Sequence, residues 1–313
     1  MIGLPRASSE RTHKVIGALT KQGNFESIDD LNAHLRKLMD SGELQQMINA
    51  APESPAEQAQ DLAYRAMEEP SSAKARKLAE KALKLDPDCV DAMTIYAQTR
   101  RLSFNDYVAE VRAAVKAGDR VLGQDRFRKD KGHFWGFVET RPYMRARREL
   151  AMALISDDKL REAAAEFEGM LELNPNDNQG VRDYLLGIYL ALSDLDGAAS
   201  LYRQYENDVS AVFAWGRVFL LMLSGRRAEA REALAAAFRN NPWPTKIFFG
   251  GKPPEDPLSY ALGDEDEGQH AAVALLPAVA EHPDVLIWIA KESIGVMEKL
   301  MEPPARPGPR RIH

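Results

Sequence analysis

GMLELNPND, residues 169–177, decides how this chain folds. An amphipathic helical pattern runs into Asn174 and stops at Pro175. Proline removes a backbone donor and pushes the residue before it out of the helical region. Two other segments end the same way, KALKLDPD at 81–88 and AAAFRNNPWP at 235–244. Three helices with one kind of ending point to an internal repeat, and a repeat fixes the whole architecture.

Working back from those prolines, small residues recur in pairs twelve apart: Ala63/Ala75, Ala97/Ala109, Ala151/Ala163, Gly187/Ala199 and a looser Val218/Ala230. That spacing suits two antiparallel helices joined by a short turn, with small side chains where they cross. Turn formers lie between the members: Pro70-Ser71-Ser72, Ser103, Asp157-Asp158, Asp194 and Gly225. The first members stand 34, 54, 36 and 31 residues apart. Three intervals lie near the period of about 34 residues of the tetratricopeptide repeat. The long one places an insertion or elongated connection at about 118–143, between the second and third hairpins.

The block HFWGFVETRPYMRAR (133–147), with EFEGMLELNPNDNQGVRDYLL (166–186), resembles the tetratricopeptide-like region of the suppressor-of-tumorigenicity protein seven family. It resembles more closely the soluble bacterial tetratricopeptide proteins that carry the same block. The resemblance spans about 56–250 and implies a fold and a scaffold character. It supplies no catalytic residue, cofactor or membrane anchor.

The fold expected is therefore all-α: a right-handed superhelix of tetratricopeptide-like hairpins with capping helices at both ends. Residues 1–55 form an N-terminal helical segment, with helices over 8–22 and 27–50 and Ser27 as a cap. Residues 56–250 form the array. Residues 251–302 form a C-terminal helical cap, broken near Pro277 and Pro283, which covers the last repeat's apolar edge. The proline-rich basic tail, 303–313, is expected to be disordered.

A formal net charge of −6 disfavours generic binding to nucleic acid. Residues 118–150 are nevertheless locally basic, with nine Lys/Arg against five Asp/Glu. One cysteine, Cys89, permits no internal disulfide. The N-terminus has no signal-peptide core, and no apolar run is long enough for a membrane span. The expected location is cytoplasmic.

Signals for chemistry are sparse. The six histidines show no metal-ligand spacing. GGKPP (250–254) lacks the strand-loop-helix context of a phosphate loop. Cys89 reads as a small buried apolar side chain. DEDEG (264–268) reads as an acidic helix start. No cofactor or metal is expected.

ETRPYMRAR, 139–147, admits two readings that can hold together. In the structural one, Phe134, Trp135 and Phe137 pack back onto the array, Thr140 caps a helix, Pro142 sits in its first turn and 122–132 is mobile. In the functional one, Arg141, Arg145 and Arg148 share a helix face by their spacing of four and three. First helices line the concave side of such arrays, and Arg182 joins them there. Arginine forks bind carboxylates. Trp135 and Asn178, beside Asn174 and Asn176, complete a groove for a protein or peptide, either an acidic segment or a C-terminus. The expected function is a non-catalytic interaction scaffold. The alternative is an enzyme or enzyme subunit with a site near 132–148, where His133 and Glu139 are the candidate acid and base.

Overall fold

The computed structural model describes residues 6–23, 25–252 and 261–301. Among them every regular element is helical. Three helices come first: α1 (Arg6–Gln22), α2 (Ile28–Asp40) and α3 (Glu43–Asn49). Five hairpins follow: α4 (Pro55–Met67) with α5 (Ser72–Leu85), α6 (Val90–Gln98) with α7 (Phe104–Asp130), α8 (Arg141–Ser156) with α9 (Leu160–Leu173), α10 (Val181–Ala191) with α11 (Leu195–Gln204), and α12 (Ala211–Leu223) with α13 (Arg227–Asn240). The chain closes with α14 (Pro244–Phe248), α15 (Glu265–Glu281) and α16 (Pro283–Met301). The expected tail at 303–313 lies outside the described residues.

The repeat is visible in backbone detail. The helices before Pro87, Pro175 and Pro242 end alike. The amides of Asp86, Asn174 and Asn241 each donate to the carbonyl four residues back at 2.9 Å, and each residue then leaves the helix. The turns inside hairpins three to five also match. Asp158, Ser193 and Gly225 have φ of 57°, 54° and 73°, the left-handed conformation that terminates helices. The next amide then reaches back five residues: Lys159 to Leu154, Asp194 to Tyr189 and Arg226 to Leu221. Ser27, Ser54, Ser103, Asp194, Ser210 and Asp264 cap their helices by side chain, most completely at Ser54, where Ser54 and Glu57 satisfy each other's backbone amides with Pro55 in the first turn. Ser27 caps α2 as expected.

The chain divides into two compact units, Met1–Gln179 and Gly180–His313. In the first, hairpins one to three stack in order, with α4 against α6 and α6 against α8. Its small-residue seam is built from Ala59, Ala63, Ala75, Ala79 and Ala82 in the first hairpin, and from fully buried Ala151 and Ala163 in the third. In the second unit α10 packs against α12, and α15 packs across both. That helix runs through Pro277; the break falls at Pro283 alone.

The twelve-residue pairing holds for three of the five hairpins. Ala109 is exposed and Val108 takes the inner position. Ala199 is half-buried, whereas Ala198 is fully buried. The long interval between hairpins two and three is chiefly an extension of α7 and not an irregular loop. Phe104–Asp130 is two helical stretches that meet at a kink at Gly123, whose φ is 66°. Residues 124–130, within the elongated connection expected there, are thus helical.

Candidate functional site

The segment that leads into α8 is two short 3-10 turns, Phe134–Gly136 and Val138–Thr140. Phe134 is fully buried, with its ring 5.2 Å from that of Phe127 and 6.3 Å from that of Tyr143. Trp135 and Phe137 are half-buried. The expectation that the aromatics pack back holds, with Phe134 as the anchor. Thr140 lies at the start of α8 but does not cap it. Its hydroxyl donates back to the carbonyls of Phe134 and Phe137 and so ties the two turns together. Pro142 stands in the first turn.

Fixed in this way, α8 carries its arginines to specific partners. Arg145 lies at the centre. Its Nε and Nη2 donate to the two oxygens of Asp91 at 2.9 and 2.6 Å. Its Nη1 donates to Glu10 at 2.7 Å. Asp91 also accepts from Gln60 at 2.7 Å, and the Tyr64 hydroxyl donates to the other oxygen of Glu10 at 2.8 Å. Glu10 is 6% exposed and Asp91 1%. Burial opposes the guanidinium charge of Arg145, but Asp91 and Glu10 outweigh it and raise its pKa. Burial also pushes the Tyr64 hydroxyl up, so it stays a donor. Breaking such a buried pair by removing one member costs about 3–5 kcal/mol.

Arg141 stands beside this cluster. It donates to the Trp135 carbonyl at 2.9 Å, faces the Trp135 ring at 5.6 Å and reaches His13 Nδ1 at 3.4 Å. The arginine can only donate, so His13 accepts at that nitrogen. Arg148 is half-buried on the same helix. Arg147 faces the other way, to Glu166 at 2.7 Å, with Gly169 leaving room for its guanidinium.

Glu10 and His13 belong to α1. That helix runs antiparallel along α4: Lys14 pairs with Glu57, Arg11 with Asp61, and Glu10 with Tyr64. Its last turn places Lys21 4.9 Å from the Phe137 ring centroid. The first-helix face of unit one, read from the sequence as a groove for a partner, therefore holds a helix of this same chain. In unit two the same kind of face, on α10 and α12, is covered by α15.

The remaining candidates fall elsewhere. Arg182, in unit two, donates to Asp208 at 2.7 Å and lies 5.2 Å from the Tyr205 ring centroid. Burial pushes the Asp208 carboxyl up, but Ser210 and Arg182 outweigh it and hold it low. Asn178 is exposed in the turn after α9, where its side chain meets that of Asn174 at 3.1 Å. Asn176 is exposed, and Glu139 pairs with Arg126 at 3.1 Å. Cys89 is buried, and burial pushes its thiol up to about 12. DEDEG divides its labour: Asp264 caps α15, while Glu267 is 1% exposed and accepts from Ala211 N–H, Asn241 Nδ2 and Gly263 N–H. Among the described residues no group of three or more His, Cys, Asp or Glu side chains could hold a metal ion.

Sequence reasoning missed Glu10, Tyr64 and Asp91. A signal existed: Glu57, Asp61 and Tyr64 fall at helical spacing on one face of a first helix, and Glu10, Arg11 and Lys14 carry the complementary order of charge. No single helix among the described residues is long and apolar enough to cross a membrane. No protein-family model matches the chain, and no curated protein matches its sequence.

Proposed function

We propose that this chain is a non-catalytic, cytoplasmic interaction scaffold of tetratricopeptide type, which takes a carboxylate-bearing helical segment of a protein partner on the first-helix face of unit one. The observation that carries this reading is the grip on Glu10. A carboxylate projecting from a helix is bound there by the Tyr64 hydroxyl and Arg145 Nη1 at 2.8 and 2.7 Å. Charge-assisted bonds of that length are strong and directional. Arg145 keeps Asp91 as a fixed counter-charge, so its remaining donor is held in place before any carboxylate arrives. The basic stretch around it favours a carboxylate partner over a phosphate backbone. Arg120, Arg126, Arg128, Lys131, Arg145 and Arg147 each already pair with an acidic side chain of this chain.

The test is affinity capture from native extract with the full chain and with an Arg145→Lys/Tyr64→Phe double variant. Lysine keeps a charge beside Asp91 but loses the fork. A protein retained by the native chain and lost by a folded variant supports the scaffold. Equal retention by both overturns the site, and turnover of a metabolite by the purified chain overturns the non-catalytic reading.

A further inference from the structure

Helix α1 is bound to the first-helix face mostly by charge. Among its described side chains only Glu10 is buried; Val15, Ile16 and Leu19 are half-buried. Gly17 stands in its middle with open space where a Cβ would be, so packing does not require glycine there. Glycine at that place only weakens the helix. The next helix, α2, has no buried residue. The centre of the receiving surface, by contrast, is held together without α1. Arg145 stays bidentate to Asp91, Gln60 supports Asp91, and Arg141 stays on the Trp135 carbonyl. Departure of α1 frees Arg145 Nη1 and the Tyr64 hydroxyl, leaves Arg145 paired with Asp91, and opens Asp61, Glu57 and Arg141, which pair with Arg11, Lys14 and Glu10 while α1 is docked.

We propose that α1 is a built-in competitor: it occupies the Tyr64–Arg145 carboxylate site in cis, and a partner helix with the charge order Glu-Arg-x-x-Lys displaces it. The order follows from the surface. Tyr64 and Arg145 take the glutamate, Asp61 takes the cation one residue on, and Glu57 takes the cation four residues on. A tethered helix competes at high effective concentration, so the native chain binds the partner weakly until α1 is loosened. This inference rests on the scaffold reading and adds to it the class of partner and a means of control.

The probe is a labelled, end-blocked peptide of residues 6–22, titrated by fluorescence anisotropy against the full chain. A chain carrying Glu10→Lys, whose own α1 is repelled by Arg145 and Arg141, is expected to bind the peptide at least tenfold more tightly than the native chain. A Glu10→Lys peptide is expected to bind neither. Adding Tyr64→Phe to the Glu10→Lys chain is expected to weaken binding about tenfold with unchanged melting, which separates loss of the site from loss of the fold. Gly17→Ala in the native chain is expected to weaken peptide binding further. Equal affinity of the native and Glu10→Lys chains, or binding by neither, overturns the competitor. So does concentration-dependent dimerisation of the native chain through exchanged α1 helices. If the peptide fails but the double variant still loses a captured protein, the scaffold reading stands and the competitor falls. Peptide exchange without any captured protein gives the converse.

Discussion

The carbonyl oxygen of Ala274 occupies the place where a Cβ on Gly187 would stand. Glycine at 187 therefore lets α15 lie directly on α10. From the sequence, Gly187 pairs with Ala199 across a hairpin; the close neighbour is instead a helix nearly ninety residues further on.

Gly187→Ala is accordingly expected to destabilise unit two by about 1–3 kcal/mol or more, because backbone must move. Gly136→Ala is the control. Nothing lies within 4 Å of its added Cβ, and its φ is not positive. Chemical denaturation of the two variants checks this. Equal midpoints would mean that α15 does not pack on α10 as closely as described.

Ser193 and Gly225 hold the same position in successive hairpins, with φ of 54° and 73°. A side chain in that left-handed conformation costs about 1–2 kcal/mol, and glycine avoids it. The larger unfolded-state entropy of glycine offsets part of the gain. Ser193→Gly is expected to stabilise by about 0.5–1 kcal/mol in a thermal melt. Gly225→Ser is expected to destabilise by a similar amount.

What the sequence made legible was what local chemistry controls. Proline after Asp or Asn ends a helix wherever it falls, so the ends of hairpins one, three and five were readable from 81–88, 169–177 and 235–244. The inner register was readable only where alanine itself is the contact. Ala151 and Ala163 are fully buried, but Ala109 is exposed. In an alanine-rich chain a pair at the right spacing can face outward. Ala163→Trp should therefore cost several kcal/mol by overpacking, whereas Ala109→Trp should leave the melt within about 0.5 kcal/mol. The arginines of α8 were readable as a face, but their partners were not. Glu10 and Asp91 lie 135 and 54 residues from Arg145, and no local pattern brings them together.

Glu57 links the α1 docking to pH. Its carboxyl is lowered from 4.5 to about 2, chiefly by its hydrogen bond with Lys14 and then by the amides of Glu53 and Ser54. A depressed folded pKa means stability that is full above the unfolded value and lost as pH falls towards the folded one. The side chain is 38% exposed, so the effect is screened. The difference in melting temperature between the native chain and Glu57→Gln is expected to be constant above about pH 5, to shrink below 4.5 and to vanish near 2. A difference independent of pH would show that the Glu57 charge takes no part in holding α1.

Glu267 is a buried carboxylate held by donors alone. Oε1 accepts from the Ala211 amide, the first of α12, at 2.9 Å. Oε2 accepts from Asn241 Nδ2 at 2.9 Å and from the Gly263 amide at 2.6 Å. The carboxylate thus lies at the positive end of α12. Asn241 is itself fully buried, with its Oδ1 taken by the Trp243 amide and its backbone carbonyl by Trp215 Nε1. The network thus ties α15 to the start of α12 and the end of α13. Glutamine has the same shape but one donor end. Whichever way its amide turns, an NH2 group faces an N–H group, and a buried donor loses its partner. Glu267→Gln is therefore expected to cost about 1–3 kcal/mol. Substitution of the neighbouring Asp266, on the same turn, should cost little by comparison. Denaturant titrations of the two variants decide it: equal midpoints would mean that the Glu267 carboxylate is not what joins these helices.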